Sequence, residues 1–197
     1  LKVSMDLKND VEKILTSYGE PFMDSSAIPS YYISQAAKKH VTVVLNGDGA
    51  DELFAGYRRY VPFANNWPKY FKYISILSSM IPKSNIKMSN YNYLSRLLTL
   101  SNKDGLDQYL SSTTDIFEDI YRFGVANLDK RMEEEIREIN SMGFSGLSKN
   151  LVLDSKFLLA NDLLKKMDIA TMSHSLEARS PFLSKYILEW APKLPDH

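Results

Sequence analysis

Asp48, Asp51 and Glu52 lie within five positions of one another in the run Asn46-Gly47-Asp48-Gly49-Ala50-Asp51-Glu52, and no other stretch of the chain is as suited to chemistry. Such a cluster repels a bare phosphate but accepts one through a divalent cation, since magnesium is commonly held by one or two carboxylates plus substrate phosphates. The same residue types also serve structure alone: Asp48 or Asp51 can cap a following helix, with Glu52 facing water. Three known motifs are excluded by residue type. Gly47-x-Gly49-x-x-Glu52 lacks the third glycine of a dinucleotide fingerprint, and no Gly-Lys-Ser/Thr marks a nucleotide P-loop. Ala50 offers no oxygen at the fifth position of a calcium loop.

The turn needs elements on either side to hold it. Val41, Val43, Val44 and Leu45 form a β-branched apolar run that predicts a parallel core strand buried on both faces. Gly47 and Gly49 let the backbone turn sharply, and Leu53, Phe54 and Tyr57 predict a helix leaving the turn. The carboxylates then stand at the carboxyl end of a strand, where α/β sheets bind ligands.

Upstream, Leu7, Val11, Ile14, Leu15 and Tyr18 recur at helical spacing, with Gly19 as the stop. Ser26 is placed to cap a second helix with Pro29 in its first turn and Ile28, Tyr32 and Ala36 on one face. From Val61 to about residue 127, aromatics, prolines at 62, 68 and 82 and a Ser/Asn cluster at 84–92 predict short helices joined by loops. Tyr57-Arg58-Arg59-Tyr60 and Lys69-Tyr70-Phe71-Lys72-Tyr73 interleave basic and aromatic residues; they read as core packing with snorkelling cations, against a grip on single-stranded nucleic acid. Pairs four apart, Lys130–Glu134, Arg131–Glu135 and Glu133–Arg137, with Met132, Ile136 and Ile139 on another face, describe a solvated helix. Residues 141–150 read as a loop. A long helix comes after it, with Leu153, Phe157, Ala160, Leu164 and Met167 forming an apolar seam.

At 197 residues, 44% hydrophobic and 24% charged, the chain can bury a core, and one domain is the default expectation. Lys+Arg and Asp+Glu both number 24, so no net charge draws nucleic acid or an anionic membrane. No apolar run approaches a membrane span and no signal peptide is visible, which predicts a cytoplasmic protein. The absence of cysteine excludes disulfides, thiol catalysis and Cys-based zinc sites within this chain, and His40, His174 and His197 are too scattered to predict a metal cluster.

Residues 43–57, Val-Val-Leu-Asn-Gly-Asp-Gly-Ala-Asp-Glu-Leu-Phe-Ala-Gly-Tyr, resemble the V-L-S-G-E/D-G-x-D-E-L-F-G-G-Y signature of the glutamine-hydrolysing asparagine synthetases. Two further blocks agree in the same order, Glu20-Pro21-Phe22-Met23-Asp24-Ser25-Ser26-Ala27-Ile28-Pro29 and the stretch from Lys166 through Glu177-Ala178-Arg179-Ser180-Pro181-Phe182-Leu183. The resemblance runs from about residue 18 to the end. It implies a mainly α structure with a small residual β element, the C-terminal part of an α/β adenine-nucleotide α-hydrolase-like (PP-loop) synthetase domain spanning residues 1–197 here. The glutaminase domain and the Ser-Gly-Gly-x-Asp-Ser phosphate loop of such enzymes have no counterpart in this sequence. With Leu1 at one end and Pro195-Asp196-His197 at the other, the chain is expected to be an excised piece, inactive alone and prone to self-association as a homo-oligomer.

The resemblance also implies roles. Asn46 and Gly47 stand where the family contacts the nucleotide, Asp51 where an aspartate binds magnesium, and Asp48 where an acidic residue, usually glutamate, assists reaction of the adenylate. Glu52 completes the motif. Lys166, with Lys165 beside it, and Arg179 are the cations expected to neutralise phosphate charge as pyrophosphate leaves; the structural alternative is a helix end dressed with lysines and an Arg179–Glu177 surface pair. The block from Glu20 to Ser26 resembles the family's loop near the aspartyl-adenylate, although Asp24 and Ser26 are also ordinary turn and cap residues. The implied cofactors are ATP and Mg2+, and the implied partners are small molecules: aspartate, ATP and ammonia from glutamine. Asn46 in place of serine and Ile169 in place of a common Lys or Arg depart from the pattern. A related ligase acting on another carboxylate, or a non-catalytic helical module, are the alternatives.

Overall fold

The computed structural model describes residues 3–22, 24–81, 89–113 and 126–196. Met23, Pro82, the 84–88 part of the Ser/Asn cluster, His197 and the side chain of Arg131 lie outside the described residues. In chain order the elements are helices α1 (Leu7–Ser17) and α2 (Ala27–Lys38), strand β1 (Val43–Leu45), and helices α3 (Ala50–Phe54), α4 (Val61–Ala64), α5 (Trp67–Phe71), α6 (Asn90–Ser101), α7 (Gly105–Thr113), α8 (Ala126–Ser141), α9 (Gly146–Asp154) and α10 (Leu164–Met172). Strand β2 (Glu177–Arg179) and helix α11 (Lys185–Trp190) close the order. The chain is mostly helical with a small β element, as its sequence predicts, and forms two compact units, Leu1–Phe54 with Asp154–Leu194, and Ala55–Leu153 with Pro195–His197.

In the first unit Ile14, Tyr18, Ala27, Tyr31 and Tyr32 make the core, with Phe22, Ile28 and Ile169 packed against it. Ile169 therefore has a structural role: half-buried, it packs against this cluster. Helix α1 contributes less than its periodicity predicts, because Leu7, Val11 and Leu15 are exposed and only Ile14 of the helix is buried. Gly19 ends it as expected, with φ +68°. Ser26 does not cap α2; its amide and hydroxyl both donate to Asp24, which has drawn the side chain away from the helix end.

Strand β1 pairs parallel with β2, in the register Val43 with Glu177, Val44 with Ala178 and Leu45 with Arg179. Parallel pairing matches the sequence reading, but burial on both faces does not: Val41 is 44% and Leu45 73% exposed. With one partner strand among the described residues, the apolar run stays largely open to solvent.

The predicted seam also changes phase. Residues Ser155–Leu163 form a π-helical stretch between α9 and α10, so the buried positions become Leu153, Asp154, Leu159, Lys166, Ala170 and Thr171, while Ala160 turns outward. Bonds of the i→i+5 type widen each turn and rotate the residues beyond it about the helix axis, a shift that a 3.6-residue period cannot register.

In the second unit Phe63, Leu97, Leu98, Leu100, Tyr109, Ile136, Ile139 and Leu147 are buried. Arg59 lies 4.6 Å from the centre of the Tyr57 ring and Arg58 5.0 Å from that of Tyr93, which agrees with snorkelling cations on aromatic faces. Tyr70 and Tyr73 correct the other half of that expectation, at 70% and 91% exposed. Glu133 and Arg137 pair at 3.5 Å on the solvated helix. The loop expected at 141–150 is cut short at Gly146, because the Ser145 hydroxyl accepts the Ser148 amide at 3.0 Å and caps α9.

Candidate active site

Because β1 and β2 are parallel, their carboxyl ends meet at one edge. There the Asn46 amide donates to the Arg179 carbonyl at 3.0 Å, the Ser180 hydroxyl donates to Asn46 Oδ1 at 2.5 Å, and Asn46 Nδ2 donates to Asp48 Oδ2 at 2.8 Å. Asn46 thus links the carboxylate turn to the third block, a bridge that serine is too short to duplicate in the same way. Gly49 is required by its φ of +89°, and a Cβ there would also lie 2.3 Å from a Leu183 methyl, so that side chain would have to move. Gly47 is different, with no positive φ and nothing within 4 Å of where a Cβ would sit. The fold does not demand glycine at that position.

Helix α3 carries Asp51 and Glu52 in its first turn, and they part company. Asp51 is exposed and makes no ion pair or side-chain hydrogen bond among the described residues. Glu52 is 1% exposed, which removes the structural alternative in which it faces water. No group of three or more potential metal ligands exists among the described residues. One exposed carboxylate still suits magnesium, whose remaining ligands come from phosphates and water.

Lys166, on α10, is 9% exposed and donates to Asp24 Oδ2 at 2.8 Å. Asp24 is itself fixed, accepting the Ser26 amide on Oδ1 at 2.8 Å and the Ser26 hydroxyl on Oδ2 at 2.7 Å. Lys165 pairs with Glu20, so both lysines reach the first sequence block. Tyr18 donates to the Lys166 carbonyl at 3.3 Å and stacks on Phe22, with ring centres 4.4 Å apart. A cavity of about 70 Å³ beside Asp24, lined also by Tyr18, Phe22 and Ala27, has room for water and none for a nucleotide.

The electrostatics join this cluster to the turn. Burial raises the Asp48 carboxyl above its ordinary value; the Lys166 charge opposes the shift and Glu52 adds to it. Burial also works to raise Asp24, but hydrogen bonds from Lys166 and Ser26, with the Lys166 charge, outweigh it and leave that carboxyl low. Asp162 is raised by burial and by Asp24, against the pull of Lys166, and its Oδ1 is buried without a hydrogen-bond partner among the described residues. The Tyr18 hydroxyl is pushed up to about 12 by burial and then by Asp24 and Asp162. One ammonium therefore pairs with Asp24 and works to lower the carboxyls of Asp48 and Asp162 through its field.

Of the residues singled out by sequence, Asn46, Asp48 and Lys166 share one electrostatic neighbourhood, with Asp51 and Gly47 on the open side of the same turn. Arg179 is at the right edge by register, but its guanidinium is exposed and turned to Glu177 at 2.7 Å, the surface pair named as its alternative. Asp162 was not singled out. Its signal lay four residues before Lys166, the spacing of acid and base on one helix face.

Comparison with known proteins identifies the family. The chain is 33% identical over 199 residues to asparagine synthetase (glutamine-hydrolyzing) 1 of Bacillus subtilis, covering 95% of this chain and 30% of that protein. It is 32% identical over 176 residues to "Putative asparagine synthetase (glutamine-hydrolyzing) 2" of Methanocaldococcus jannaschii, covering 85% of this chain and 33% of that one. The chain thus spans about a third of the length of these curated relatives. No solved structure matches it. The family model described as asparagine synthase matches residues 3–197, a span that takes in the turn, the lysines and the β1–β2 edge alike, and the chain therefore belongs to the asparagine synthase family.

Proposed function

We propose that this chain is part of the synthetase domain, of the PP-loop type, in an ATP-dependent ligase that converts aspartate to asparagine. In this reading the side-chain carboxylate of aspartate attacks the α-phosphorus of ATP, giving an aspartyl-adenylate and pyrophosphate. Ammonia from glutamine then attacks the acyl carbon to form the C–N bond, the C–O bond breaks with its electron pair going to AMP, and the nitrogen gives up a proton. Adenylation turns a poor leaving group into a good one. The observation that carries the reading is Lys166, a buried cation whose field reaches Asp48 at the carboxyl end of two parallel strands.

Each residue's role comes from its surroundings. Lys166 meets the negative charge that builds as pyrophosphate departs. Asp48, half-buried and with a raised carboxyl, takes a proton from the attacking amine. Open space at Gly47 lets a nucleotide approach the backbone, and Asn46 holds Asp48 in register with Ser180. Glu52 keeps the field beneath Asp48 negative. Arg179 engages Glu177 through Nε alone, so its remaining N–H donors can meet phosphate, but its exposed position makes its part auxiliary. Asp51 would hold magnesium, which supplies charge neutralisation at the phosphates when bound.

The test is pyrophosphate release by the complete protein with magnesium-ATP and a nitrogen donor, comparing aspartate, other carboxylates and none. Aspartate-dependent release with asparagine formed is the expected outcome; release with a different carboxylate, or none, moves the reading to a related ligase or a non-catalytic module. Asp51→Asn should abolish pyrophosphate release, whereas Asp48→Asn should slow amide formation more than adenylation. Wild-type rates for both variants would remove these assignments.

A further inference from the structure

Asp24 lies in the block whose resemblance brings it near the adenylate, yet its oxygens are already taken. Oδ1 accepts the Ser26 amide, and Oδ2 accepts the Ser26 hydroxyl and the Lys166 ammonium, all within 2.7 to 2.8 Å. A carboxylate held by three donors, one of them charged, is fixed in place and has little capacity left for a ligand. Lys166 is the opposite case. Its ammonium has three donors, of which Asp24 takes one, so it can bind an anion without leaving its anchor.

The anchor decides where that charge sits. A lysine stem is long and rotamer-rich, and Asp48 and Asp162 both lie in the field of the same ammonium. Without Asp24, either of them is an alternative partner, and the cation shifts away from the segment that precedes α2. Ser26 makes the anchor rigid, which explains why its hydroxyl faces Asp24 when the end of α2 is one residue away.

We propose that Asp24 is a positioning residue: locked by Ser26, it fixes where the Lys166 ammonium sits and acts on the reaction only through Lys166. This rests on the reading of Lys166 as the cation that receives pyrophosphate charge.

A double-mutant cycle in the complete protein tests it, with aspartate-dependent pyrophosphate release measured for wild type, Asp24→Asn, Lys166→Met and the double variant. Asp24→Asn should lower kcat by about 10- to 100-fold, the cost of a misplaced group, with KM for ATP changed less than about threefold. In the Lys166→Met background the same substitution should change the rate less than about threefold, since coupled residues are not additive. A full Asp24→Asn cost in that background, or none in the wild type, overturns the proposal. Ser26→Ala, which keeps the charge, should give a smaller loss of the same kind and guards against a variant that fails to fold. A readout independent of turnover is acetic anhydride labelling of Lys166 followed by mass spectrometry. Asp24→Asn should raise Lys166 labelling several-fold and leave Lys165 unchanged, and unchanged Lys166 labelling overturns the anchor. Absence of pyrophosphate release by the wild type with any carboxylate would instead count against the functional reading alone.

Discussion

At the scale of single residues, the site carries a cost that stability measurements can read. The Asp48 carboxyl titrates above its ordinary value of 3.8 because burial disfavours its charge. The native state then holds a proton that the unfolded chain has released, so the contribution of Asp48 is favourable at low pH and is lost as pH rises through the raised value. Asp48→Asn keeps an acceptor for Asn46 and removes the charge; at pH 7 its melting temperature should equal or exceed that of wild type, with the difference vanishing near pH 3. Ala55 is a second strained position. It adopts φ +57°, where the family signature has glycine. Left-handed backbone costs a non-glycine residue about 1–2 kcal/mol, and glycine returns roughly 0.4–1 of that in unfolded-state entropy. Ala55→Gly should stabilise by up to about 1 kcal/mol in denaturant titration.

At the scale of elements, a periodic stripe does not say which of its members are covered. Helix α1 has the spacing of a packing helix, but Ile14 is 1% exposed while Leu15, beside it, is 52% exposed. Ile14→Ala should therefore cost about 2–5 kcal/mol by chemical denaturation. Leu15→Ala should stay within about 0.5 kcal/mol; equal costs would show that both side chains are covered. The π-helical stretch is the other case. It ends at Leu163, one residue before α10, the helix from which Lys166 reaches Asp24. Widened turns of this kind recur at functional sites because they re-aim side chains without ending the helix.

At the scale of the molecule, the apolar strand bears on association. Leu45 is 73% exposed and Trp190 54%, and the two-stranded sheet leaves backbone edges open among the described residues. Open apolar edges pair with other chains. The 197-residue chain by itself should associate with rising concentration in sedimentation velocity, and a strictly monomeric profile at high concentration would contradict this. No helix among the described residues is long and apolar enough to cross a membrane.

The features that the sequence determined by itself were local. The turn at 46–52, the need for glycine at position 49, the helical stop at Gly19 and the strand at 43–45 are each set by neighbouring residues, through backbone sterics and side-chain branching. Only the tertiary structure decided that Asp24 and Lys166, 142 positions apart, form an ion pair, that Glu52 is buried and that Arg179 turns to Glu177. Those outcomes depend on burial and on which charges a fold brings within a few ångströms of each other, and neither is encoded in the spacing of residues along the chain.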